Sequence, residues 1–277
     1  MKFTTKLLLP VFCLILLTTS CKRENIIDPT ANDQVSAAVL QQIAAQGFST
    51  ENVRKVDNGY LVEGDIVLTQ ENLSQPATSP TLLIANDEQY RTTNLVKALP
   101  RVITVSVSGT LVGLQVWSDA ANNMISRYNA QNLTIKFQRV SSGGNVNLVG
   151  FDQGPSGGYI TLGSSGFPDA NGNPYNQIQL NTNAQAYGAN PSLIYVTNVL
   201  QHEMGHCIGF RHTDYFNRAL SCGGRRSNEG TAGVGAIHIP GTPTGFDANS
   251  FMLACSNGGA TDRTFNANDI IALKYLY

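Results

Sequence analysis

Cysteine is absent from residue 22 through residue 206, and the whole chain has five. That gap excludes a thiol latch supplied by this stretch. Charge is sparse too. Only 13% of residues are charged and the net charge is −1, so no basic surplus points to a nucleic-acid partner. Histidine is rarer still, with four in 277 residues. The apolar run at residues 7–17 is too short to span a membrane comfortably as a helix. Glycine is plentiful at 26 residues, and with 42% hydrophobic residues this describes a globular, loop-rich, extracytoplasmic chain.

The leader carries information. Lys2 and Lys6 precede the apolar run, and Thr18, Thr19 and Ser20 follow it, so residues 1–20 read as an export signal. Cys21 comes next and resembles the lipobox cysteine of bacterial lipoproteins, although Thr18 stands where leucine is preferred. The resemblance implies a lipidated Cys21, a place in the bacterial cell envelope, and membrane contact only through that anchor. The alternative is simple secretion after Ser20. Residues 21–32 are polar, contain Pro29, and read as a tether. Export permits disulfides. Cys207 falls on an expected helix and reads as packing. Cys222 and Cys255 fall in expected loops and form the favoured pair, against free thiols or a bridge to Cys207.

Further along, Val35, Val39, Leu40 and Ile43 keep helical spacing up to Gly47. Asp57-Asn58-Gly59 is a hairpin turn between apolar runs. Residues 71–100 are polar, with prolines at 76, 80 and 100, and read as a linker. The chain therefore divides into a small mixed region, 33–99, and a larger domain, 100–277. From Arg101 the pattern predicts a strand, a helix around Trp117 and Met124, a strand over LTIKFQRV, short strands in a glycine-rich stretch, and a strand over NQIQLNT. A long helix over SLIYVTNVLQHEMGHCIG, irregular chain from 215 to 262 and a closing helix complete it. That order predicts an α+β fold.

Three of the four histidines lie within QHEMGHCIGFRHTD. Residues four apart in a helix lie about 40° apart round its axis, so His202 and His206 share a face. Glu203, beside them, reaches a water on a shared metal rather than the metal itself. Gly209 takes a positive φ freely, ends the helix and swings His212 back to the same point. Three neutral imidazoles leave a fourth position open, as a catalytic zinc requires.

HEMGHCIGFRH resembles the zinc motif of the metzincin clan of metallopeptidases. Ser250-Phe251-Met252 resembles that clan's methionine turn, with Met252 an apolar floor under the imidazoles. FNANDIIALKYLY resembles the C-terminal helix of matrix-metalloproteinase-like domains. The group most similar is the bacterial dual-action HEIGH metallopeptidases, on HEMGHCIGFRHTD, IHIPGTPTGFDANSFM and VEGDIVL. The resemblance spans most of residues 35–277, with the zinc motif its specific part. It implies a metzincin-like catalytic domain and one zinc ion on His202, His206 and His212. It also implies Glu203 as general base toward a zinc-activated water in an endopeptidase acting on protein or peptide substrates. Ala254 stands where some metzincins carry a tyrosine ligand, so no such ligand is expected.

Val62-Glu63-Gly64-Asp65 resembles the Phe-x-Gly-Asp segment of astacin-like prosegments, with Val62 in place of the aromatic. It implies Asp65 as a latch on the zinc and residues 33–99 as an inhibitory prosegment. The alternative is a strand bend in an accessory domain. Asp214 either orients a histidine from behind the metal or caps a turn. Asp169, Asn171 and Asn173 offer either a calcium loop or a tight turn. His238 reads as structural. Residues 176–182 are the expected substrate-binding strand. The rival function is a zinc-retaining, non-catalytic envelope binding or adhesion protein, disfavoured because Glu203 ligates nothing yet stands where the chemistry needs a base.

Overall fold

The structure is a computed structural model that describes residues 35–75, 89–156, 159–230, 233–243 and 246–277. The export signal, Cys21 and the tether lie outside the described residues. Helix α1 (Ala37–Ala45) begins at Ser36, whose hydroxyl accepts from the Val39 N–H. Strands β1 (Arg54–Val56) and β2 (Gly59–Val62) form the hairpin expected at Asp57-Asn58, and β3 (Ile66–Leu68) pairs antiparallel with β2. The tip between β2 and β3 is Glu63-Gly64-Asp65. Helix α2 (Gln70–Ser74) follows from a capping box at Thr69 and Asn72.

After residues 76–88, strand β4 (Tyr90–Arg91) pairs much later chain, so the stretch read as a linker contains both a helix and a strand. Strand β5 (Arg101–Val107) starts a five-stranded sheet. Helix α3 (Gln115–Asn129), β6 (Ile135–Arg139), β7 (Val146–Phe151), β8 (Gly163–Ser164) and β9 (Gln177–Asn181) follow. The sheet order is β6-β5-β7-β9-β8, parallel throughout except that β8 runs antiparallel to β9. The strand expected to receive substrate, β9, is therefore internal. The outer segment is 163–165, and it carries the β2–β3 tip: the Ser165 N–H donates to the Asp65 carbonyl at 3.0 Å and the Val67 N–H to the Ser165 carbonyl at 2.7 Å.

Helix α4 (Ala184–Tyr187) leads to α5 (Leu193–Cys207), and α5 and α3 pack on the sheet. Short α6 (Ala219–Cys222), strand β10 (Ile237–His238), which pairs β4, and α7 (Ala267–Leu276) complete the order. The architecture is α+β, as the sequence predicts. Residues Asp33–Tyr277 form one compact unit that contains both expected regions. A main core holds Ile103, Trp117, Met124, Tyr128, Leu148, Ile178, Leu200 and Met204. A smaller one joins Ile43, Phe48, Val62, Ile66 and Leu68 to Phe167 and Val234. Strand alternation sends Val67 into the first core and Ile66 and Leu68 into the second, so β3 is covered on both faces.

One carboxylate ties α7 to the methionine turn. Asp269 is buried, caps α7 through a capping box with Asn266, and accepts from Gln89 Nε2 at 2.7 Å, Ser250 Oγ at 2.9 Å and the Phe251 N–H at 3.2 Å. Replacing Asp269 with Ala strands those donors in the interior. The expected loss is about 3 kcal/mol of unfolding free energy, read from chemical denaturation. A loss under about 0.5 kcal/mol would show that the turn does not depend on it.

Candidate metal centre

Helix α5 is buried on most faces from Val196 onward, which brings polar His202, Glu203 and His206 inside the molecule. Gly209, at φ 107°, ends it, and a Cβ there would press on Leu95, the Asn94 carbonyl and the Thr92 hydroxyl. The turn returns His212 to the helix. The three Nε2 atoms converge at 3.1 Å (His206 to His202), 3.1 Å (His206 to His212) and 3.3 Å (His212 to His202).

Each opposite ring nitrogen is engaged outside the cluster. His202 Nδ1 meets the Phe251 carbonyl at 2.9 Å, His206 Nδ1 the Phe210 carbonyl at 2.9 Å, and His212 Nδ1 the Glu229 carboxylate at 2.5 Å. With a cation bound, each ring would donate outward through Nδ1 and turn its Nε2 lone pair inward. Unprotonated nitrogens at such distances repel one another unless a cation sits among them. Zinc–nitrogen bonds of 2.0–2.1 Å at tetrahedral angles give N···N separations of about 3.3 Å, so the donor set fits a zinc ion.

The fourth corner is occupied by the chain itself. Asp65 Oδ2 lies 3.1 Å from His212 Nε2 and 3.7 Å from His202 Nε2. Asp65, His202, His206 and His212 each offer one donor atom, all within 4.8 Å of one another. Asp65 Oδ1 is buried with no partner among the described residues. Burial opposes ionisation of Asp65, yet His212 and His202 hold its carboxyl well below the usual range. Glu203 lies beside this group. Its Oε2 accepts from Ser165 Oγ at 2.7 Å, and Gly163 leaves room for its side chain. Burial first, and then the Asp65 charge, push the Glu203 carboxyl well up.

Met252 passes beneath α5. A Cβ on Gly205 would lie 2.5 Å from Met252 Sδ, so the helix is bare where the turn crosses it. Asp214 is engaged elsewhere. It accepts from Ser221 Oγ at 2.6 Å and from the Ala254 N–H at 2.9 Å, tying α6 to the chain after the methionine turn. Cys222 and Cys255 are joined beside that clamp. His238 bonds Thr242 Oγ1, and Cys207 is buried in the main core. At the loop read as a calcium candidate, Lys97 Nζ bonds the Ala170 carbonyl, while Arg101 bonds the Gly172 carbonyl and Asn173 Oδ1. Those cations take oxygens a calcium would need, and Asp169 is bonded by Asn173.

Glu229, not Asp214, stands behind His212. It is fully buried and also bonds Arg218 Nη1 at 2.5 Å and Arg211 Nη2 at 3.3 Å. Burial raises its proton affinity, but His212, Arg218 and Arg211 overcome this and hold the carboxyl low. Burial likewise disfavours a charged His212, but Glu229 and then Asp65 push its pKa up to about 10. Glu229 has no regular spacing from the motif. Its one signal is that it is the sole acid between Asp214 and Asp247. Ser165 and Gly205 carry no signal of role except that Gly205 sits inside the motif.

A helix-borne His-Glu-x-x-His closed by a third histidine defines a zinc metallopeptidase. The chain belongs to the dual-action HEIGH metallopeptidases, whose family model matches residues 60–277. Its cofactor is zinc and its class is metalloprotease hydrolase. Two structures of myroilysin are similar, at 15% and 14% identity, 64% of this chain, 83% and 79% of theirs, and TM-score 0.37. High choriolytic enzyme 1, a hatching-enzyme zinc protease from the medaka fish Oryzias latipes, matches at 14% identity over 64% of this chain and 88% of its own, with TM-score 0.36. Likenesses this remote bear on neither substrate nor mechanism. No curated protein matches the chain.

Two outcomes are expected. Glu229→Gln weakens zinc binding about 10- to 100-fold, measured by chelator competition; unchanged affinity would remove Glu229 from the site. Zinc also displaces a proton that His212 holds up to about pH 10. Below that value the proton competes, so apparent zinc affinity rises with pH, by about tenfold per unit for one proton, and levels off near the pKa. Equal affinity at neutral and mildly alkaline pH would contradict this.

Proposed function

We propose that the chain is an exported zinc-dependent endopeptidase, lipid-anchored through Cys21, and that Asp65 keeps it closed until residues 33–99 are displaced. The observation that supports the catalytic reading best is Glu203: a buried carboxylate beside three converging imidazole nitrogens, held among the described residues by Ser165 Oγ. A site that served zinc binding alone has no use for a buried acid there, because burying an unneeded carboxylate is costly. The leader pattern at residues 1–21 supports export and the anchor.

When bound, zinc supplies a Lewis acid that polarises the scissile carbonyl and brings the pKa of a water toward neutrality. Glu203 takes the proton from the attacking water and passes it to the leaving amine. Ser165 Oγ holds one carboxylate oxygen, which orients the other toward the cleft. Asp65 contributes to the raised proton affinity of Glu203, so withdrawing it makes Glu203 a stronger acid and leaves more of it ionised as a base. Asp65 blocks the reaction by standing where water and the substrate carbonyl must sit.

Full-length Asp65→Ala is expected to cleave casein about tenfold faster or more than the parent, in a chelator-sensitive way, since one charge-assisted contact closes the site. Adding Glu203→Gln should keep one zinc per chain and cut turnover at least about 100-fold. Unchanged activity in Asp65→Ala would refute the latch. Near-parental turnover with Glu203→Gln would refute the general base.

A further inference from the structure

The β2–β3 tip carries two carboxylates, and only Asp65 faces the histidines. Glu63, two residues earlier, sinks into a separate socket with its side chain 6% exposed. Its carboxylate lies 3.6 Å from Arg218 Nε and accepts from the Ser49 N–H at 2.8 Å. Its carbonyl accepts from Arg218 Nη2 at 2.8 Å. Glu63 adopts φ 55° and Gly64 φ 93°, so the tip folds through left-handed backbone, unfavourable for a glutamate, to deliver both acids.

The tip supplies two carboxylates to this wall: Asp65 faces His212, and Glu63 faces Arg218. Arg211 and Arg218 face Glu229 and Glu63, two guanidiniums against two carboxylates. Arg211 is fully buried and Arg218 is 12% exposed at its side chain. Withdrawing the tip leaves both guanidiniums to Glu229, which is already committed to His212. Arg218 then faces the cleft without its second carboxylate, which favours an anionic side chain there.

We infer that Arg218 is a specificity-determining residue: the socket that Glu63 fills in the resting chain accepts an Asp or Glu of the substrate, within about two residues of the scissile bond. This rests on the peptidase and latch reading above. The tip is then a pseudosubstrate on two counts, with Asp65 at the metal position and Glu63 in the acidic subsite. A neutral side chain there leaves Arg218 underpaired, and a lysine meets a like charge.

The test uses the full-length zinc-loaded Glu63→Ala/Asp65→Ala chain, whose tip no longer competes. A peptide library with each position varied reads specificity. Separately, a Glu203→Gln version is titrated with two labelled nonapeptides, YLVEGDIVL, which copies residues 60–68, and its twin with Gln at the Glu63 position. The expected results are enrichment of about tenfold or more for Asp or Glu at one subsite, and about tenfold weaker binding of the twin, the size of one charge-assisted contact. Both effects should fall to within about twofold in Arg218→Gln and persist, reduced, in Arg218→Lys, which keeps a charge beside Glu229 should the glutamine variant fold poorly. A flat library profile overturns the inference even if the two nonapeptides differ. Equal binding of the two also overturns it. No cleavage of any peptide, with the binding difference intact, refutes the peptidase reading and leaves the Arg218 socket standing.

Discussion

Three imidazoles share one cation only if each commits its other nitrogen to an acceptor outside the cluster, and most of the irregular chain exists to supply those acceptors. The Phe251 carbonyl comes from the methionine turn, which Asp269 of α7 braces by accepting from Ser250 Oγ and the Phe251 N–H. The Phe210 carbonyl comes from the turn at Gly209, pinned on either side by the Thr92 N–H to the Gly209 carbonyl and the Arg211 N–H to the Tyr90 carbonyl. The third acceptor is Glu229. Loss of any one leaves a ring free to rotate, and a rotated ring no longer directs its lone pair inward.

Glu229 is the costliest of the three, since a fully buried carboxylate is stable only with strong partners. It has three: His212, Arg218 and Arg211. Arg211 is further packed over the Phe48 ring at 4.9 Å, a residue of the N-terminal region. The loop that carries Glu229 is anchored at its start by Asp214, Ser221 and the Cys222–Cys255 bridge, and the Glu229 N–H bonds the Tyr215 carbonyl. The disulfide therefore bears on the metal indirectly, by limiting where the loop behind His212 can go.

How much of this was legible in the sequence depends on the range of each interaction. The α+β order, the Asp57-Asn58 hairpin and the helices around Trp117 and His202 follow from local periodicity and turn chemistry, and all are present. His202, His206 and His212 were legible because one helix and one glycine turn set their convergence. Glu229 was not, because its approach to His212 depends on the path of a loop with no periodic pattern. Asp214, read as either a histidine partner or a turn cap, instead accepts from Ser221 Oγ and the Ala254 N–H, partners as invisible to spacing as Glu229 itself. The edge of the sheet was misplaced for a related reason. Strand β8 is two residues long, too short to announce itself, yet it covers β9. The stretch at 71–100 misled through its prolines and polarity, which say nothing about the pairing of β4 with β10.

Ser165 joins the edge of the sheet to Glu203. Its backbone N–H and carbonyl pair with Asp65 and Val67, while its hydroxyl bonds the carboxylate and carbonyl of Glu203. The two sets of contacts use different atoms. An extended peptide in place of the tip would take the backbone groups and leave the hydroxyl where it is. Glu203 would then keep its Ser165 bond with either occupant; what would change there is the neighbouring negative charge of Asp65. On the proposed latch, closing and opening the site would be changes of occupant within a fixed frame. The hairpin tip brings two carboxylates to this frame, Asp65 at the histidines and Glu63 at Arg218.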